Sequence, residues 1–148
     1  MRQLPFLGEY LPYLLQRADH LLSRRFHAEL RSADIDVSEW RVLAVLRDCS
    51  ILPLNQLADI AMLPQPTTSH AVRRLEDDGL VSRVENDHDR RERLLALTIE
   101  GAALTEQLTR SAKATEQELL DSLEAADGDL AVRLRSLIDD LEARTTAS

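Results

Sequence analysis

One cysteine, Cys49, stands in 148 residues, which excludes an internal disulfide and gives no support for secretion. Aromatic residues make up 3% of the chain, and there are only four glycines and five prolines. A chain so poor in turn formers, with 44% hydrophobic residues dominated by Leu and Ala, is expected to be helix-rich and globular. No apolar run approaches the roughly 20 residues a membrane span requires, so no membrane partner is expected. The opening stretch, MRQLPFLGEYLPYLLQRADH, is interrupted by Pro5, Glu9 and Pro12 and carries no small-residue cleavage site. It reads as part of the fold, with the cytoplasm as the expected compartment. Catalytic equipment is missing too. The chain has no Gly-rich phosphate loop and no nucleophile with a base and an orienting partner. The histidines, His20, His27, His70 and His88, form neither an i, i+4 pair nor a Cys/His cluster, so no metal site is expected. The expectation is a protein without enzymatic activity or cofactor.

Lysine is nearly absent: Lys113 is the single one among 18 basic residues. The net charge of -8 at first argues against a nucleic-acid partner. Its distribution matters more, because binding depends on the field at the contacting face. Residues 99–148 hold eleven Asp and Glu against five Lys and Arg, whereas residues 65–93 hold six Arg against seven acidic residues. The acidic excess is concentrated away from the arginine-rich middle. Arginine suits phosphates and base edges, but equally internal carboxylates.

What is present is a succession of helical patterns. From Tyr10 to Leu30 apolar residues recur at helical spacing, which predicts one long helix. Asp36-Val37-Ser38-Glu39 has the form of a capping box, with Ile35 and Trp40 placed as a hydrophobic staple. A helix from about Val37 to Asp48 should bury Trp40, Leu43, Ala44 and Leu46. A break at residues 49–53 precedes the short helical stretch LNQLADIAM. The next helix should carry Pro66 at its first position and end before Gly79. Leu80–Val84 and Leu94–Thr98, joined by a charged loop, read as a β-hairpin. Helical periodicity resumes from Ile99 to Leu123 and from about Asp127 to Arg144, with Asp127-Gly128-Asp129 at the boundary. Helix, turn, helix and hairpin in that order is a winged helix-turn-helix plan. The expected fold is mainly α with a small β-hairpin.

The surplus apolar residues at the two ends, Leu4, Phe6, Leu7, Tyr10 and Leu11, then Leu134, Leu137, Ile138 and Leu141, exceed what such a lobe needs to bury. Either they pack within the chain or they join two copies, since a monomer rarely leaves a patch of that size exposed. Residues 1–34 and 99–148 are the expected helical dimerisation region, and residues 35–98 the winged helix-turn-helix lobe.

At this point the chain resembles the MarR family. The resemblance rests on VSEWRVL at 37–43, Leu57-Ala58, LEDDGLVSR at 75–83, Asp87-His88-Asp89-Arg90-Arg91, and LTIEG at 97–101. It implies a ligand-responsive regulator of transcription, a repressor, that binds double-stranded palindromic DNA as a homodimer. The helix 66–78 would lie in the major groove and the wing 85–93 in the minor groove. Gln65, Thr67, Thr68, Ser69 and His70 would then reach bases and phosphates, with Arg74 as a phosphate contact. Arg90, Arg91 and Arg93 of the wing would also meet DNA, Arg91 entering the minor groove while Asp89 holds the wing's shape. The chain departs from its relatives at position 70, where His70 stands in place of a common Arg. Gly79 should supply a positive φ, Thr98 should cap the fifth helix, and Gly101 should allow close packing.

Relatives respond to small aromatic or phenolic effectors. Tyr10, Tyr13, Arg17, His20 and Arg47 could line such a site, Arg17 or Arg47 meeting a carboxylate. Two alternatives stay open: redox sensing through Cys49, which has Arg47 near it in sequence, and a dimeric module that binds protein instead of DNA.

Overall fold

The computed structural model describes residues 5–85, 93–122 and 130–146. In chain order these form α1 (Leu11–Ser32), α2 (Val37–Cys49), β1 (Ile51–Pro53), α3 (Leu54–Ala61), α4 (Gln65–Asp77), β2 (Val81–Glu85), β3 (Arg93–Leu97), α5 (Ile99–Ser122) and α6 (Leu130–Thr146). Leu123 and Asp127-Gly128-Asp129, expected to end one helix and mark the boundary to the next, lie outside the described residues. No described helix is long and apolar enough to cross a membrane. The chain divides into two compact units, residues 1–115 and 116–148.

The first unit is organised around α2. Asp36 accepts from the Glu39 amide at 2.8 Å, and Glu39 Oε2 accepts from the Asp36 amide at 2.8 Å. The capping box is therefore complete, and two helix-end donors are satisfied at once. From that start α2 presents Val42, Leu43 and Leu46 to the core, all essentially sealed from solvent. Trp40 and Ala44 are half-buried instead of fully buried as expected, and Val42 takes the deeper position. The reason is helical phase: Val42 and Leu46 lie one turn apart on the inward side, whereas Trp40 sits at its margin. There its ring meets Phe26 of α1 edge to face, with centroids 5.1 Å apart. Leu57, Ala71, Val72, Leu75, Val81, Leu95 and Leu108 complete the core with Phe26, Leu30 and Ile35.

The sheet is larger than the expected hairpin. Its order is β1-β3-β2, all antiparallel, with Ile51 opposite Ala96 and Val81 opposite Leu97. β1 falls in the segment read as a break. Three residues are too few to show an alternating pattern, and Pro53 is tolerated because β1 is an edge strand.

Helix ends follow local chemistry. After α4, Gly79 has φ +71°, the Gly79 amide donates to Glu76 O at 3.0 Å, and the Leu80 amide donates to Leu75 O at 2.8 Å. This is a Schellman turn at the position where only glycine is unstrained. Thr98 then joins the turn to α5. Its hydroxyl donates to Gly79 O at 2.7 Å and accepts from the Gly101 amide at 3.0 Å. A Cβ on Gly101 would fall 1.9 Å from Leu80 O, so the close packing expected of Gly101 is present. Farther along α5, Ser111 and Thr115 both donate to the Glu29 carboxylate of α1.

In the second unit, α6 exposes Leu130, Val132, Ile138 and Leu141.

Candidate nucleic-acid interface

α3 and α4 are joined by a turn in which Met62 takes a left-handed conformation (φ 53°) and Leu63 donates back to Ala58 O at 3.1 Å. Pro64 precedes α4, and Pro66 sits one position later than expected because the helix already begins at Gln65. A proline in the first turn forfeits an amide that has no helical partner anyway. α4 also ends one residue early, at Asp77.

The inward side of α4 is Thr68, Ala71, Val72 and Leu75. Thr68, expected to reach DNA, is therefore corrected: it is fully buried and its hydroxyl donates to Pro64 O at 3.2 Å. Thr68 falls one turn before Val72, and a small side chain that bonds its own backbone can be buried there without an orphaned hydroxyl. Gln65, Thr67 and His70 are exposed, and Ser69 is half-buried.

Arg74 is paired within the fold. Its Nε lies 2.9 Å from Glu39 Oε1 and its Nη1 3.7 Å from Asp36 Oδ2. The guanidinium is thus paired with the start of α2. Glu39 Oε1 is buried and has no well-aligned hydrogen bond among the described residues, so Arg74 holds it by charge. Burial pushes the Glu39 carboxyl above its ordinary range, against the lowering effect of the Asp36 amide bond. A second tether lies beyond: Arg83 of β2 grips Glu76 of α4 through both oxygens, at 2.6 and 3.1 Å. Neither tether was anticipated. A bidentate Arg–Glu pair seven residues apart across a helix–strand turn leaves no periodic signal.

Arg93 is exposed on β3, where Glu85 is its cross-strand neighbour. Asp89, Arg90 and Arg91, together with the rest of 86–92, lie outside the described residues.

Of the effector-site candidates, Tyr10, Tyr13, Arg17 and His20 share one side of the α1 segment by their spacing. Tyr10 stacks on Phe6 with centroids 5.0 Å apart. Arg47 does not join them freely, because its guanidinium is held by Glu106 at 3.1 Å and Asp48 at 3.0 Å. Cys49, at the end of α2, is exposed and free. Among the described residues no three His, Cys, Asp or Glu side chains are grouped to hold a metal.

The MarR family's sequence model matches residues 33–92. The chain is similar to the transcriptional regulator FarR of Neisseria gonorrhoeae, with 33% identity over 94 residues, 64% of each chain. That match spans just under two thirds of the curated relative. Among solved structures, a MarR family transcriptional regulator from Silicibacter pomeroyi DSS-3 is 37% identical, with TM-score 0.80, 91% of this chain and 97% of that one being covered. NadR in complex with 4-hydroxyphenylacetate is 26% identical with TM-score 0.78, covering 89% and 92%. A mutant MarR from E. coli complexed with operator DNA is 26% identical with TM-score 0.72, covering 88% and 92%.

Proposed function

The chain belongs to the MarR family of transcription regulators, and on that premise we propose that it is a repressor binding palindromic operator DNA as a homodimer. The observation that carries this reading is the contrast along α4. Its C-terminal half is tied to α2 and β2, and the turn that follows it to Thr98, while its first turns offer Gln65, Thr67 and His70 to solvent. A rigidly mounted helix with an open polar N-terminal end is suited to the major groove, since phosphates favour helix N-termini and Gln and His can meet base edges. In this reading the wing 85–93 enters the minor groove with Arg91 at its tip, aided by Arg90 and Arg93 and shaped by Asp89. Residues 35–98 form the DNA-binding lobe, and residues 1–34 and 99–148 the dimerisation region. The protein acts in the cytoplasm, as a binder and not an enzyme.

The effector proposed is a small aromatic or phenolic acid, by analogy with the relative that holds 4-hydroxyphenylacetate. Tyr10, Tyr13 and His20 supply aromatic and polar walls. Arg17 is the better carboxylate partner, because Arg47 is already committed to Glu106.

The test is a fluorescence-anisotropy titration with duplex DNA from upstream of the chain's own gene, repeated across salt concentrations. The expected result is tight binding that weakens steeply with salt, by a species of twice the 16.7 kDa chain mass in light scattering. Addition of 4-hydroxyphenylacetate should release the DNA. A clean monomer, or the absence of salt-sensitive binding, would favour the protein-interaction module.

A further inference from the structure

We infer that Arg73, not its neighbour Arg74, is the residue of α4 that holds a DNA phosphate, and that Arg74 acts only by positioning the helix. The inference rests on the reading of α4 as the DNA-reading helix and adds to it a division of labour between adjacent arginines.

The division follows from helical phase. With 3.6 residues per turn, the buried set Thr68, Ala71, Val72 and Leu75 fixes the inward direction. The opposite side is then Pro66, His70, Arg73 and Asp77, all exposed. Arg74 is turned about 100° from Arg73, toward α2, where Glu39 and Asp36 take its guanidinium at 2.9 and 3.7 Å. Arg83, the arginine of β2, is likewise spent on Glu76. Of the three arginines on α4 and β2, Arg73 alone makes no ion pair among the described residues.

Charge gives the second reason. Asp77 lies one turn beyond Arg73 on the same outward side, and its carboxylate opposes any approach of a phosphate backbone. A groove-facing surface with that carboxylate requires a nearby cation, and the uncommitted guanidinium supplies it. Arg73 can extend toward the strand flanking the groove while His70, one turn nearer the N-terminus, meets the bases. Arg74 cannot leave its place without stranding the buried Glu39 carboxylate, whose Oε1 has no hydrogen-bond partner among the described residues.

The test compares R73A, R73K and R74A with wild type by operator affinity as a function of salt and by thermal unfolding. For R73A the slope of log affinity against log salt should flatten by about 0.9 per half-site, about 1.8 for a dimer. Affinity should fall on the order of tenfold at about 0.15 M salt, with an unchanged melting temperature. R73K should restore the slope, because a phosphate accepts a point charge in place of a fork. R74A should lower the melting temperature. If wild type binds and R73A keeps the wild-type slope, the inference is overturned. It is overturned too if R73K fails to restore the slope, since that marks a base edge, or if R74A flattens the slope while melting like wild type. Absence of salt-dependent binding by wild type would instead overturn the reading of α4 itself.

Discussion

α2 and α1 are both amphipathic helices of one chain, yet they end in different states. α2, 13 residues long, is capped at its start and places Val42, Leu43 and Leu46 in a closed core. α1, 22 residues long, buries Phe26 and Leu30 near its C-terminal end and leaves Leu11, Leu14, Leu15, Leu21 and Leu22 at least a third exposed. The lobe is thus complete within its own chain, whereas α1 displays an apolar stripe that a lone protomer in water would pay to expose. That difference is the physical content of the proposed dimer: one region should be indifferent to protein concentration and the other dependent on it.

The largest effect that bears on the comparison is truncation inside α2. Leu43→Ala removes a fully buried side chain and should cost about 2–5 kcal/mol of stability. Chemical denaturation monitored by Trp40 fluorescence would measure it, and raising the protein concentration should not recover the loss. A change within about 0.5 kcal/mol would mean that the core at α2 is not closed.

Leu21→Ala is the counterpart in α1. Leu21 is 49% exposed, so its loss should leave the folding of the lobe nearly unchanged. In a dimer it should weaken association by about 1–3 kcal/mol, read as a shift of the monomer–dimer midpoint in light scattering or sedimentation. A drop in stability at all concentrations, with the midpoint unmoved, would place α1's apolar side inside the protomer and break the comparison.

Thr98→Val probes the junction where the lobe passes into α5. It deletes the hydroxyl that bonds both Gly79 O and the Gly101 amide. A cost of about 1 kcal/mol is expected, again independent of concentration. Unaltered melting would show that the Schellman turn at Gly79 suffices without the cap.

The sequence made the local devices legible. The Asp36 and Glu39 capping box, the positive φ at Gly79 and the cap at Thr98 each depend on residue types at fixed short offsets, and all are present in the structure. Features that depend on phase or on distant partners were less legible. Thr68 looked like part of a polar N-terminal turn, and its burial becomes evident once Val72 and Leu75 fix the inward side of α4. The same periodicity, applied to α4, would have separated Arg73 from Arg74. The pairing of Arg74 with Glu39 joins residues 35 positions apart, and β1 is too short to alternate. Neither leaves a trace in a local pattern.

The smallest expected effect concerns Glu39, and it separates the two duties that residue carries. One oxygen accepts from the Asp36 amide and completes the cap, and the other faces Arg74 without an aligned hydrogen bond. Burial raises the folded-state pKa above 4.5, the ordinary value for Glu, despite the nearby guanidinium. A raised folded pKa means that the native state binds this proton more tightly than the unfolded chain does. Its contribution to stability is present below the ordinary value and is lost as pH rises through the folded value. Glu39→Gln keeps a carbonyl oxygen for the Asp36 amide and removes the titration. The variant should therefore gain on wild type as pH climbs from about 4 to 7, in urea denaturation series run at matched ionic strength. Parallel curves would show that Arg74 offsets the burial of the Glu39 charge. Because both groups lie within the closed lobe, the difference between the curves should be the same at every protein concentration. A concentration-dependent difference would tie the α2 start to the proposed dimer and erase the distinction between the two helices.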